Sequence, residues 1–364
     1  MDAKISFSGL MTSNKAHQSP SGQSPSGQSP SGAFYSAPFT TSDGKTGIAL
    51  RFDDKPISRA IWKRFSRVCQ ENISFGEIDA EQLLELMHRA KIDGPLKGMD
   101  ILQAQSLRRH SVRQYNISNT YRIENAIAQI ARDYIAGRSI LDISAQMKLS
   151  PYIIFRRVMD YLEPKVQRSP NGLESAEAIA SAAIPETERR SGMHDKINLL
   201  SLGKARAEDI LNARDAEQYG LVREFDFESI AVQLKMAADA NRREANFISF
   251  LRDDLGIALK TQADLLDEAV KKGVRPITPD ALFLSPVQIN GHIAHWIDFK
   301  SYCGSPIPFL SRSTALQCAK YQDAFGPGFI VYEHGYVEPP TCPSVSARAL
   351  RDIIDQGTRK AVLA

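Results

Sequence analysis

Apolar residues recur at helical spacing through the first half of the chain. Ile123, Ile127, Ile130 and Tyr134 fall at i, i+4, i+7 and i+11, one face of an amphipathic helix that Gly137 ends. From Ile57 to Lys165 the pattern reads helical throughout. After residue 256 it changes. TPDALFLSP (278–286), HIAHWIDFK (292–300) and GFIVYEHGYV (328–337) are short, aromatic and β-branched, with the helix-like SRSTALQCAKYQDAF and the turn Gly326-Pro327-Gly328 between the last two. The run from Glu224 to Gly256 reads as one long amphipathic helix before them. A helix, a two-stranded hairpin, a helix and a further strand predict an α/β domain.

Within the helical half, SILDISAQMKLSPYIIFRRVMDYLEP (139–164) predicts a short helix, a turn at Lys148, Leu149 and Ser150, and a second helix. Ser139 and Ser150 are N-cap candidates, Pro151 suits the first helical position, and Pro164 marks the stop. Ile140, Ile143, Met147, Leu149, Ile154 and Val158 form the expected shared core. The unit resembles a helix-turn-helix whose second helix exposes Tyr152, Arg156 and Arg157 to nucleic acid. Such units also serve as plain packing modules, and the pattern leaves both uses open.

The low-complexity stretches set the remaining boundaries. Residues 18–32 repeat QSPSG three times, too little apolar surface to order a chain, so residues 1–45 are expected to be a disordered tail. Residues 168–195, rich in Ser, Ala and Glu, are the expected linker between a helical domain (46–167) and an α/β domain (196–345). Residues 346–364 are read as a C-terminal tail with helical character.

Composition narrows the class only slightly. The chain has 364 residues, 43% of them hydrophobic, and a net charge of +3. Between Asp100 and Arg168, however, eleven basic residues stand against six acidic ones, an excess larger than that of the whole chain. Four scattered cysteines without a C-x-x-C pair suggest neither a zinc knuckle nor a disulfide framework. There is no signal-peptide core and no apolar run near the ~20 residues of a membrane span. The expectation is an intracellular protein of nucleus or cytoplasm, without a membrane partner.

The candidate chemistry lies at the end of HIAHWIDFK. With a period of two, Trp296, Asp298 and Lys300 share one strand face, and Ile297 and Phe299 the other. Acid-x-Lys triplets also begin at Asp2, Asp43, Asp53 and Glu163 and are read as chance. Asp298-Phe299-Lys300 differs in closing an apolar strand. Pro279-Asp280, the chain's only Pro-Asp, stands at the start of the preceding strand, so antiparallel pairing can bring the two carboxylates together. They repel unless a cation intervenes. Mg²⁺ (or Mn²⁺) suits such a pair, since it takes oxygen ligands and completes its shell with water and phosphate. Lys300 would then orient a water or stabilise charge on phosphorus, which makes phosphodiester hydrolysis the natural reaction.

Thr278-Pro279-Asp280, Gly291-His292-Ile293, Trp296-Ile297, the acid-x-Lys ending and Phe325-Gly326-Pro327-Gly328 together resemble the TPD-motif proteins, the codanin-interacting nuclease family. That family is a branch of the PD-(D/E)xK nucleases related to archaeal resolvase-like proteins. The resemblance covers residues 240–340 most closely and the helical half more loosely. It implies a PD-(D/E)xK restriction-endonuclease-like α/β domain preceded by an all-helical, helix-turn-helix domain. It also implies metal ligation by Asp280, Asp298 and the Phe299 carbonyl, with Lys300 as the catalytic lysine. This chain departs from the family pattern in carrying Asp298 where relatives tend to have Glu, which shifts the ligand by about 1.5 Å.

The superfamily places a further acid on the preceding helix. Glu244 is the candidate, with Asn246 as the alternative. Gln317 and Tyr321, one helical turn apart on the later helix, are candidate accessory residues. His292 and His295 lie three apart on a strand and cannot form one clamp; one is expected to pack and the other to be exposed. The implied function is a metal-dependent nuclease acting on DNA or RNA. The alternative is an inactive nuclease fold that binds a codanin-like protein partner.

Overall fold

The computed structural model describes residues 34–52, 55–92, 98–163 and 193–357. The pentapeptide repeats and residues 168–192 of the expected linker lie outside them. The described residues pack as one compact unit.

The helical region is built from α1 (Arg59–Glu71), α2 (Ala80–Arg89), α3 (Ile101–Asn119), α4 (Tyr121–Ile135), α5 (Ile140–Met147) and α6 (Pro151–Leu162). Its boundaries follow from side-chain caps. Asp79–Gln82 and Asp100–Gln103 are reciprocal capping boxes that start α2 and α3. Ser139 and Ser150 cap α5 and α6, Pro151 opens α6, and Lys148 turns the chain between them at φ 54°.

Three further helices, α7 (Met193–Ser201), α8 (Ala207–Ile210) and α9 (Ala213–Phe225), pack on this region. Ile197, Leu200, Tyr219 and Val222 share a core with Ile140, Ile154, Phe155 and Val158. By packing, residues 193–225 therefore go with the helices and not with the sheet, as a domain starting at 196 would require. They also cover Tyr152 of α6, which was expected to be exposed. Tyr152 is fully buried, its hydroxyl 3.0 Å from Ser201 Oγ, so it is not an exposed recognition residue. Arg156 lies over the Tyr152 ring, and exposed Arg157 pairs with Glu124 at 3.1 Å.

The single helix expected from Glu224 to Gly256 is interrupted. α9 ends at Phe225, and α10 (Ile230–Ser249) begins after a buried turn, continuing as a π-turn over Phe250–Asp254 before Gly256 at φ 65°. Asp226 makes the break. Its fully buried carboxylate accepts bonds from Ser150 Oγ at 2.5 Å, Tyr152 N at 2.9 Å and Glu228 N at 2.8 Å. One side chain thus fixes the start of α6 to the corner between α9 and α10.

The sheet among the described residues has seven strands. They are β1 (Tyr35–Thr40), β2 (Thr46–Arg51), β3 (Leu259–Thr261), β4 (Ala281–Ile289), β5 (His292–Lys300), β6 (Gly328–Tyr332) and β7 (Ser344–Ser346). The spatial order is β1-β2-β4-β5-β6-β7, with short β3 also on β4. β4 and β5 form the antiparallel hairpin read from sequence, while β6 and β7 add parallel to β5. Between β3 and β4 lies α11 (Gln262–Lys272), and between β5 and β6 lies α12 (Pro308–Phe325).

The region before the first helix differs from expectation. Residues 35–51, assigned to a disordered tail and to the start of an all-helical domain, form the β1–β2 hairpin. β2 pairs parallel with Val287–Ile289. Leu50 and Ile48 enter the main core, and Gly47 lets the Phe39 ring and the Pro286 carbonyl approach closer than a Cβ would allow. At the other end the expected tail includes α13 (Arg351–Gln356), which buries Ile354 against the same core.

The alternation of β5 appears as two distinct layers. Ile297 and Phe299 face Phe247 and Leu251 of the α10 segment, the Phe247 and Phe299 rings stacking at 5.0 Å. On the other face Trp296 packs with Cys318 and Tyr321 of α12. His292 and His295 are both exposed. The helical region joins the sheet at its far end: Cys303 N donates to Ser106 Oγ at 2.8 Å, and Ile57 N to the Tyr336 carbonyl at 2.8 Å.

Candidate functional site

The β4–β5 register pairs Ala281 with Ile297, so Asp280, one residue before β4, falls opposite Asp298. Asp280 Oδ2 accepts the Phe299 N–H at 2.6 Å. Asp298 is almost fully buried, its Oδ2 held by the Lys300 ammonium and its Oδ1 by Gln317 Nε2 at 3.1 Å. The period of two read in the sequence thus places acid and lysine on one face at the end of an apolar strand.

Helix α12 braces this pair. Gln317 Nε2 also reaches Tyr321 OH at 3.0 Å, and that hydroxyl donates to the Thr278 carbonyl at 2.9 Å. Gln317 and Tyr321, candidates on sequence grounds, therefore link Asp298 to the backbone of the Thr-Pro-Asp segment. Trp296 fixes the adjoining turn by donating from Nε1 to the Gly326 carbonyl at 2.9 Å. Gly328 meets the Trp296 indole so closely that a Cβ there would sit 2.3 Å from the ring. The Gly-Pro-Gly segment is more than a turn, since its last glycine is needed for contact with the strand that carries Asp298.

Electrostatics tie Glu244 to the same place. Burial raises its pKa, and the Asp298 charge raises it further against the pull of Lys300. Asp280 shows the strongest perturbation: burial, then Asp298, then Glu244 push its pKa up to about 8. Asp298 is also raised by burial, against the attraction of Lys300. Burial opposes the charge on Lys300, but Asp298 and Asp280 outweigh it and hold its pKa above the usual value. Three carboxyl groups thus share the field of one ammonium. That arrangement is short of positive charge.

Neighbouring residues on α10 point elsewhere. Arg243 pairs with Asp239 and with buried Glu333, and Asn246, the alternative to Glu244, donates to the Ile354 carbonyl at 2.8 Å. Among the described residues no three His, Cys, Asp or Glu side chains are gathered tightly enough for a ready metal cage. The donors at hand are the Asp280 and Asp298 carboxylates, with Glu244 within electrostatic reach. A pair of carboxylates fits an ion that retains water and takes substrate phosphate as ligand.

Residues 223–352, which hold Glu244, Asp280, Asp298, Lys300 and the bracing pair, match the sequence model of a family described as "Protein of unknown function TPD sequence-motif". Through this region the chain is similar to the TPD-motif family. Similar curated proteins include an uncharacterized protein of Acanthamoeba polyphaga mimivirus, 36% identical over 91 residues, 24% of this chain and 31% of that protein. CDAN1-interacting nuclease 1 of Xenopus tropicalis is 35% identical over 77 residues, 21% of this chain and 24% of its own length. The Homo sapiens protein of that name is 36% identical over 67 residues, 18% of this chain and 23% of its own. The matches span about a quarter to a third of these relatives. No solved structure matches the chain. The TPD-motif region thus contains the candidate site whole, while α1 to α8 lie outside the matched residues.

Sequence reasoning missed two groups of residues near the site. Arg109 and Arg113 of α3 entered it only as part of a basic excess, yet α3 packs beside the end of β5 and helps to line a cavity there. Tyr302, two residues beyond Lys300, was not among the candidates, and its phenol lies within the field of Lys300. The placement of the arginines has no local signal, because it depends on contacts between the helical region and the sheet, whereas that of Tyr302 follows from its nearness to Lys300 in the chain.

Proposed function

We propose that the TPD-motif region is a metal-dependent nuclease centre of PD-(D/E)xK type, hydrolysing phosphodiester bonds of nucleic acid. The observation that carries the reading is the convergence of buried Asp280 and Asp298 with Lys300, beside Glu244, at adjoining strand ends. In that reading Asp280, Asp298 and the Phe299 carbonyl hold Mg²⁺ or Mn²⁺, with Glu244 at its edge. Bound there, the ion would polarise the phosphate and lower the pKa of a coordinated water.

The chain's own groups supply the remainder. Asp298 holds the Lys300 ammonium at the strand end, where it can meet negative charge developing on phosphorus. Gln317, anchored through Tyr321, keeps Asp298 oriented. Asp280 gives up its proton when a cation offsets the repulsion from Asp298. Arg156 and Arg157 would add phosphate contacts from the helical region, supplying affinity that falls with salt.

The test is cleavage of labelled single-stranded, duplex and branched DNA and RNA with Mg²⁺ or Mn²⁺, comparing wild type with Lys300→Ala and Asp280→Asn. Metal-dependent cutting that disappears in both variants supports the proposal. Inert wild type on every substrate defeats it.

A second reading is a scaffold that binds a codanin-like protein in nucleus or cytoplasm. It is favoured by the name that the relatives carry, CDAN1-interacting nuclease 1. No helix among those residues is long and apolar enough to cross a membrane.

A further inference from the structure

Beyond the end of β5 the chain continues through Ser301 and Tyr302, and these residues form part of the wall of a cavity of about 340 Å³. Its other walls come from α3, α10 and the start of α12, so the helical region and the sheet together enclose it. The volume lies at the lower end of the range for small-ligand sites, too small for a duplex and suited to one nucleotide.

The lining chemistry is one-sided. Arg109 and Arg113 contribute guanidinium groups, Tyr302, Phe309 and His110 contribute rings, and among the described residues no carboxylate lines the space. The acids that pair with the arginines stand behind the wall: Glu77 is 2.8 Å from Arg109, and Glu228 is 3.6 Å from Arg113. Arg109 Nε is buried without a hydrogen-bond partner. Arg113 lies 5.6 Å over the Phe309 ring, and the His110 and Tyr302 rings meet edge to face at 5.3 Å. Burial drives the His110 pKa down to about 3, so at neutral pH that ring is an uncharged surface. Rings beside guanidinium groups form the combination that holds an unstacked base and its phosphate.

Resting on the nuclease reading above, we infer that this cavity receives the nucleotide next to the scissile phosphate, lifted out of its stack, with the base among Tyr302, Phe309 and His110 and the phosphate on Arg109 and Arg113. The protein would then select substrates that carry an unpaired nucleotide at the cut. A paired duplex must first unpair and unstack a base before it fits.

The test reads binding separately from chemistry. Full-length Asp280→Asn protein is titrated, by fluorescence anisotropy, with a fully paired DNA duplex and with the same duplex carrying one unpaired nucleotide. The expected result is about tenfold tighter binding of the second, the scale of one base-stacking interaction. Ala237→Trp, placed on the exposed cavity wall of α10, should abolish the preference while leaving paired-duplex affinity and the thermal midpoint unchanged. Arg113→Gln should reduce the preference severalfold.

Equal affinity for the two duplexes overturns the inference, as does a preference that survives Ala237→Trp. Deoxyadenosine monophosphate binding as tightly as the bulged duplex also overturns it, since the cavity would then serve a free nucleotide. Wild-type cleavage is measured in parallel. Cutting without preference defeats the cavity assignment alone, preference without cutting defeats the catalytic reading alone, and no binding of any nucleic acid defeats both.

Discussion

Asp280→Asn should stabilise the metal-free protein while abolishing cleavage. The folded protein retains the Asp280 proton up to about pH 8, whereas a free carboxyl releases it near 3.8. A carboxyl pKa raised on folding withdraws stability as pH climbs through that window, because the unfolded chain has already lost the proton. The penalty is absent below the lower value and fully developed above the upper one. Between pH 5 and pH 8, three units at about 1.4 kcal/mol each set a ceiling of ~4 kcal/mol.

Water reaching the half-buried Glu244 edge softens the local field, and with an effective dielectric near 20 we expect about 2 kcal/mol. Asparagine cannot ionise, and its side-chain oxygen can still accept the Phe299 N–H. Guanidinium denaturation with EDTA should therefore show an advantage for the variant that grows by about 2 kcal/mol from pH 5 to pH 8. Adding Mg²⁺ should stabilise wild type more than the variant. A pH-independent difference, or a wild type that gains on the variant with rising pH, would refute the assignment of a strained carboxylate pair.

Lys300→Met removes the cation from buried Asp298 and should cost about 3 kcal/mol by urea denaturation, more at pH 8 than at pH 5; a neutral effect would mean that Asp298 does not depend on the pair. Asp226→Ala strips the bonds to Ser150, Tyr152 and Glu228 and should cost about 3 kcal/mol, whereas Ala at exposed Asp209 should change stability by less than about 0.5 kcal/mol. Gly328→Ala places a Cβ 2.3 Å from the Trp296 ring and 2.5 Å from its carbonyl. It should cost about 3 kcal/mol and alter the near-ultraviolet dichroism of the indole; an unchanged melting curve would show that the strand contact yields freely.

Several features were legible because they are local. The caps at Ser139 and Ser150, Pro151 at the start of α6, and the period of two along β5 each depend on residues within one or two turns or strand repeats. The pairing of Asp280 with Asp298 was legible only in outline: the two-residue turn at Asn290 and Gly291 sets Ile289 opposite His292, and an irregularity between Leu282 and Val287 then shifts the register so that Ala281 faces Ile297. Glu244 was placed only through resemblance, since nothing within α10 marks one acid as facing the sheet. It does come within the field of Asp298, while Asn246 turns to α13.

What the sequence determined by itself was the identity and order of the chemical groups, the alternation that joins Asp298 to Lys300, and the hairpin of β4 and β5, though not the shift in its register that sets Asp280 opposite Asp298. Tertiary structure decided which surfaces stay open. α7 and α9 cover Tyr152, residues 35–51 extend the sheet instead of remaining a tail, and α3 approaches the end of β5 to close a basic, ring-lined cavity. Short-range caps and strand periodicity act within a few residues and leave a readable pattern. Burial and long-range Coulomb fields depend on what packs across the chain, so the raised pKa of Asp280 and the cavity beside Lys300 arise only when the parts meet.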